Sequence, residues 1–266
     1  PVLTLSFEYP ERSVHTSLSY NRTIRRPSYY QLRGDIQYNS PYAYEAGNPA
    51  LLSSFINDVS YSLAYRNLTF LASYQFVKDK IFFITEQFDG KPVTLSRFIN
   101  IDQFKRLSAS AVWSPTFFHI WTPEIEVGVE KQFLSLTYDG RQTDYNHPLT
   151  YVSLYNTLRL PRGFQIILSG AYSAASHADF TYTYPNKWVD FSVQKKCLDD
   201  KLTLRLGVED LFDTNVENWK MNYKNVCYKK WNSGDNRSFY FSVSYNFSTL
   251  KEYKGQGAAT KERRRL

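Results

Sequence analysis

Two cysteines among 266 residues are too few to staple a disulfide scaffold or to form a four-ligand zinc site unaided. Eleven Gly and eleven Pro exclude a collagenous or low-complexity chain, and an aromatic content of 17% is wrong for disorder. No apolar run approaches the roughly 18 residues that a membrane-spanning helix needs. The longest uncharged stretch, LSASAVWSPTFFHIWTP at 107–123, is broken by two Pro and by Ser and Thr. The opening PVLTLSFEYPERS has neither a basic start nor a long apolar core, so no signal peptide is read there. Catalytic signatures are missing too. His15, His119, His147 and His177 lie far apart without HExxH spacing, and no GxSxG, phosphate-binding Gly loop or dinucleotide fingerprint occurs. The chain is read as a non-enzyme without metal or cofactor.

What is abundant is alternation. In SFYFSVSYNF, Phe239, Phe241, Val243, Tyr245 and Phe247 share one face, and Ser238, Tyr240, Ser242, Ser244 and Asn246 share the other. Ile125, Val127, Val129 and Phe133 oppose Glu124, Glu126, Gly128, Glu130 and Gln132; Leu202, Leu204, Leu206 and Val208 oppose Thr203, Arg205, Gly207 and Glu209. Period two is the strand signal, and no window of similar length reads as an amphipathic helix. The expectation is all-β, with eleven strands near 2–10, 13–25, 56–66, 68–87, 94–113, 122–138, 149–160, 163–174, 187–197, 202–213 and 236–247.

Short connections alternate with long ones, as in an outer-membrane barrel with short periplasmic turns and long outer loops. Tyr9, Tyr65, Trp113 and Phe247, with Phe70, Trp121 and Phe164, would stand at one height near the short turns, where aromatic rings prefer the headgroup layer. The fold expected is therefore an antiparallel transmembrane β-barrel in contact with outer-membrane lipid. Lys131 and Asn156 fall on the lipid-facing side and Asp210 breaks phase; Lys131 should sit high or snorkel, and Asp210 should mark a bulge or the strand's exit. Cys197 and Cys227 fall at opposite ends of an apolar band about 25 Å tall and are read as free thiols.

Eleven is odd, and an open sheet leaves unpaired backbone groups that lipid does not tolerate. Further strands are expected to pair with both edges, from missing N-terminal strands or, as a second possibility, from another copy of the chain. Residues 1–247 are read as barrel and 248–266 as a disordered basic periplasmic tail that carries much of the net charge of +7. No nucleic-acid partner is expected, because no aromatics interleave the basic run.

YNRTIRRPSYYQL at 20–32, YAYEAGNPALL at 42–52, LRLGVEDLF at 204–212 and SFYFSVSYNF at 238–247 together resemble TonB-dependent outer-membrane receptors and the related outer membrane protein β-barrel family. The resemblance implies eleven strands of a 22-stranded barrel, uptake of a scarce nutrient such as a siderophore or glycan, a plug domain, and the TonB complex as energy source. It further implies that Phe239, Phe241, Val243, Tyr245 and Phe247 form the terminal strand read by the barrel-assembly machinery, or an ordinary closing strand.

Tyr29, Tyr30, Tyr42, Tyr44, Tyr145, His147, Tyr182 and Tyr184 sit in the long loops. Flat rings with a polar tip suit sugar or siderophore faces, but they equally suit packing of the loops over the barrel mouth. Arg106, Glu124, Glu126, Glu130, Arg159, Arg205 and Glu209 would line the lumen, facing a plug and one another. Three rival readings stay open: an outer-membrane lipase or protease, a soluble β-sandwich or lectin-like module, and a structural or adhesion barrel that transports nothing.

Overall fold

Alternating residues of β-branched and aromatic type build one continuous wall sheet, with two small sheets formed by the connections. The computed structural model describes residues 1–232 and 234–247. The chain runs through β1 (Val2–Tyr9), β2 (Val14–Arg25), β3 (Ile36–Ser40), β4 (Ala43–Ala46), β5 (Ser54–Tyr65), β6 (Leu68–Gln87) and β7 (Thr94–Trp113). Then follow β8 (Trp121–Phe133), β9 (Ser135–Tyr138), β10 (Arg141–Asp144), β11 (Leu149–Leu160), β12 (Phe164–Ser173) and β13 (Ser176–Ala178). Last come β14 (Thr181–Thr183), β15 (Asn186–Cys197), β16 (Leu202–Glu209), β17 (Trp219–Tyr223), β18 (Val226–Lys230) and β19 (Ser238–Tyr245). The wall is the antiparallel path β1-β2-β5-β6-β7-β8-β11-β12-β15-β16-β19, eleven strands with β1 and β19 as its edges.

The register keeps the two faces separate. Leu5 stands opposite Leu18, Leu63 opposite Phe70, Ala111 opposite Val127, and Leu206 opposite Phe241, so the apolar rows continue across strand after strand. Nothing among the described residues covers these rows: Leu5 is 51% exposed, Leu206 62% and Phe239 78%. A sandwich would bury them against a second sheet. An uncovered apolar face of this extent fits lipid, and that removes the soluble β-sandwich reading.

The aromatics near the short turns gather as expected. Trp113, Phe117 and Trp121 stack in sequence, with ring centroids 6.1 and 5.0 Å apart, and the Lys195 ammonium lies 3.7 Å from the Phe164 ring centroid. Asn156 is accommodated on the lipid face because its side-chain oxygen accepts the indole N–H of Trp121 at 2.6 Å. That pairing removes part of the cost of a polar group in hydrocarbon.

Three boundaries are corrected. The strand expected over 122–138 stops at Phe133, because the side chain of Leu134 turns into a buried core and its N–H donates to Asn146 Oδ1 at 2.7 Å. The strand expected over 202–213 ends at Glu209. Asp210 adopts a left-handed conformation (φ 48°), and its buried carboxylate accepts the N–H groups of Thr214 and Asn215 at 2.9 and 2.8 Å. The phase break is therefore the strand's exit. The closing strand is shorter than 236–247, spanning Ser238–Tyr245. The tail expected at 248–266 lies outside the described residues.

The long connections contain strands of their own. β9 and β10 form a hairpin, β13-β14-β17-β18 form a second sheet, and β4 pairs in parallel with β7, an exception to the antiparallel expectation. At the loop end, Val77, Phe82, Ile84, Phe104, Leu134, Tyr145, Phe180 and Tyr223 make the one sizeable dry cluster of the described residues. Phe180 is its centre, 5.2 Å from Phe82, 5.0 Å from Tyr145 and 4.8 Å from Tyr223 between ring centroids. The outer loops are thus anchored on the strand extensions of β6 and β7.

Candidate functional site

The inner face, opposite the apolar rows, is lined by small hydroxyls on β2 to β7. Ser17 meets Ser62 at 2.8 Å, Ser19 meets Ser60 at 2.7 Å, and Ser73 meets Ser108 at 2.8 Å, so three cross-strand hydroxyl pairs satisfy one another. The alternation shows that this face is polar, but the serine rungs emerge only once the register is known.

The lumen-facing residues expected from the sequence fall on this inner face by register. Arg106 Nε stands 3.3 Å from Glu130 Oε1, and Glu126 accepts the hydroxyl of Tyr151 at 2.8 Å. Arg205 donates to Ser192 Oγ through Nε and Nη2 at 3.2 and 3.1 Å and lies over the Tyr240 ring. Glu209 accepts from Ser238 Oγ at 3.0 Å. Glu124 stands opposite Tyr155, and Arg159 opposite Gln165 near the short turns. Glu126, Arg205 and Glu209 are tied to wall neighbours, and Arg106 and Glu130 to each other. Higher on the same side, Arg25, Gln31, Gln75, Lys80, Arg106 and Asp179 line a recess. Lys80 Nζ is 2.7 Å from Asp179 Oδ1 and 3.4 Å from the Phe104 ring centroid.

The loop aromatics divide into three groups. Tyr29 is 96% exposed and Tyr42 69%. Tyr30 donates to Glu45 and lies under the Arg33 guanidinium, 4.4 Å from ring centroid to Cζ, while Tyr44 packs edge-on against Tyr38 and Phe88. Tyr145 is only 3% exposed and donates to the carbonyl of Asn222 at 2.8 Å, so it packs the loops and offers no surface to a ligand. Burial pushes its phenol above the ordinary value; Tyr223, buried beside it and facing Glu86, is pushed up to about 12.

The third group is continuous. His147, His177, Tyr182, Tyr184 and Trp231 form a row of rings in which successive centroids lie 6.3, 5.2, 5.2 and 5.1 Å apart. Lys220 Nζ stands 4.8 Å from the Tyr182 ring centroid. His147 and His177 are locked by backbone: the His177 N–H donates to the His147 carbonyl at 3.0 Å, and the His147 N–H donates to His177 Nδ1 at 3.2 Å. Desolvation, then the nearby His147 and Lys220, hold the His177 imidazole below the ordinary histidine value. His177, Lys220 and Trp231 were not legible as site residues, because β14 and β17 join two loops distant in sequence.

The motifs that carried the family resemblance close the first loop. Ser28 caps a single helical turn, Tyr29–Leu32, by a reciprocal capping box with Gln31. Gly47 is required because a Cβ would stand 2.4 Å from the Arg33 carbonyl oxygen. Asn48 donates to the Phe98 carbonyl on β7 at 3.0 Å. The patch is a latch between loop and wall.

A one-layer antiparallel wall, apolar outside and hydroxyl-lined inside, with a folded loop cap, defines a β-barrel membrane protein. Residues 1–245 match the outer membrane protein beta-barrel family, and the chain belongs to that family. It is a protein of the bacterial outer membrane. In fold it is similar to the siderophore receptor PirA of Pseudomonas aeruginosa, with 15% identity, TM-score 0.64, and coverage of 93% of this chain and 42% of that one. It is also similar to a variant of the ferric enterobactin receptor PfeA of Pseudomonas aeruginosa solved with enterobactin (14%, 0.62, 92% and 40%). The outer membrane transporter YddB of Escherichia coli is a third (13%, 0.52, 88% and 38%). The chain spans less than half the length of these structures. No curated protein matches it by sequence.

Proposed function

We propose that the chain forms about half the wall of a receptor-type outer-membrane transporter that takes up a scarce, bulky nutrient. The observation that carries this reading is the extent of the overlap: eleven consecutive wall strands follow 42% of a siderophore receptor's length with a TM-score of 0.64. The remaining strands pair with β1 and β19, whose edge groups lipid cannot satisfy. A plug packs against the serine-lined inner face, where small side chains leave room, and the TonB complex supplies the energy. The aromatic row from His147 to Trp231 gathers ligand at the mouth, and the recess around Arg25 and Arg106 lies inward of it. The assembly machinery reads the outward aromatics of the closing strand.

The test is uptake through the complete gene. Deleting it should abolish accumulation of one class of bulky solute, a ferric siderophore or an oligosaccharide, and an uncoupler should abolish the same accumulation in the parent strain. Accumulation of both classes at the parent level after deletion would contradict transport and favour a structural or adhesive barrel.

A further inference from the structure

Lys131 is not isolated on the lipid face. Directly neighbouring strands carry Lys78 and Lys105 in the same outward phase. Lys105 stands opposite Phe76 on one side and Phe133 on the other, while Lys78 stands opposite Gln103 and Phe55, and Lys131 opposite Leu107. The three lysines are therefore successive diagonal neighbours across β6, β7 and β8, about 7–8 Å apart by sheet geometry. Arg22 extends the row on β2, its guanidinium Cζ 5.7 Å from the centroid of the Phe55 ring.

The height of the row is set by strand length. Lys78 follows Leu68, and Lys131 follows Trp121, by the nine to eleven residues that a tilted strand needs to cross the hydrocarbon. The row therefore crowns the apolar band at the loop end, in the outer leaflet. Among the described residues none of the three lysines pairs with a carboxylate; the described ion pairs of this region, Arg106–Glu130 and Lys80–Asp179, belong to the inner face and the loop core. Three unneutralised cations side by side repel one another and are costly in hydrocarbon, but at the interface they meet the anionic headgroups directly.

We propose that this outward row binds a phosphorylated lipid of the outer leaflet whose headgroup carries two phosphates. Three lysines rooted about 7–8 Å apart on adjacent strands leave two gaps, in each of which one phosphate is contacted from both sides. Gln103 adds an amide donor beside Lys78, and the rings of Phe55, Phe76 and Phe133 meet the upper acyl chains. The inference rests on the membrane topology and is independent of what, if anything, the barrel transports.

The experiment uses the full-length protein in dodecyl maltoside, titrated with diphosphoryl lipid A, monophosphoryl lipid A, phosphatidylglycerol or inorganic phosphate, with retained lipid counted by native mass spectrometry. The unaltered protein should retain diphosphoryl lipid A at least tenfold better than phosphatidylglycerol, with the monophosphoryl form in between and no competition from millimolar phosphate. The variant K78Q/K105Q/K131Q should lose that retention about tenfold, and the loop control K229Q/K230Q should keep it. Equal retention of all lipids, or undiminished retention by the triple variant, would overturn the proposal. A readout on the unaltered protein guards against misfolding of the variant: diphosphoryl lipid A should protect Lys78, Lys105 and Lys131 from acetylation while Lys229 reacts. Equal acetylation of all four would likewise overturn it.

Discussion

The ring of Tyr151 covers Gly128 on the neighbouring strand so closely that a Cβ on Gly128 would stand 2.4 Å from the tyrosine Cζ. The hydroxyl reaches past it to Glu126 on the same strand at 2.8 Å. Tyr240 covers Gly207 in the same manner, its Cζ 2.5 Å from where a Cβ would be. In both pairs the glycine makes the space that its cross-strand neighbour's ring fills, and the ring shields backbone that the glycine leaves bare.

G128A should therefore expel the Tyr151 ring and break its bond to Glu126, destabilising the wall by about 1–3 kcal/mol as overpacking does. Urea unfolding in lipid vesicles, followed by tryptophan fluorescence, measures this. The same alanine in a Y151A background should cost much less, because contacting residues are coupled.

Asp179 compensates a cation held among rings. With Lys80 Nζ 2.7 Å from its carboxylate and seated over Phe104 and Phe82, D179N should strand a charge. The loss is about 1 kcal/mol, because Asp179 is half exposed and solvent screens the pair. K80M should be milder, since an apolar side chain of similar length fits between the rings. Limited proteolysis of the outer loops reads both: faster cleavage in D179N than in K80M is expected.

The strand wall was largely legible from residue order alone, and the reason is physical. Lipid on one side and water on the other enforce period two along the membrane part of each strand, so 68–87, 94–113 and 149–160 emerge with the boundaries β6, β7 and β11 possess, although Asp79 (φ 54°) shifts the buried phase within β6. The loops obey no such rule. β14 pairs with β17 and Tyr145 bonds Asn222 across long separations, so neither the second sheet nor the burial of Tyr145 leaves a local trace. Asp210 was visible as a break in phase, but its role as acceptor for the turn at Thr214 and Asn215 needs coordinates. Lys131 registers as a misfit on its own strand, and only the register reveals its neighbours.

Acid should loosen the ring row at the barrel mouth. His177 Nδ1 accepts the His147 N–H, so the folded site favours neutral imidazole, and its pKa lies below the ordinary 6.5. The unfolded segment then binds more protons than the folded one as pH falls below about 6.5, and stability present above that value is lost on the way down. Lys220 and His147 face the ring and oppose its charge; Tyr145 and Tyr182 contribute only their faces. Hydrogen exchange over residues 176–183, corrected for the intrinsic rate, should accelerate between pH 7.5 and 5. H177Q, which keeps an acceptor and cannot titrate, should abolish that acceleration.

The central claim is that one side of the wall meets hydrocarbon and the other meets water. It is tested most directly on β5, where Val59, Tyr61 and Leu63 face outward and Ser60 and Ser62 inward. Single cysteines at residues 59 to 63 would carry spin labels, with Cys197 and Cys227 replaced by serine, and the full-length protein would be reconstituted in lipid vesicles. Collision with oxygen should peak at 59, 61 and 63, and collision with a water-soluble nickel complex at 60 and 62. A flat profile, or labels at 59, 61 and 63 shielded from both reagents, would contradict the account.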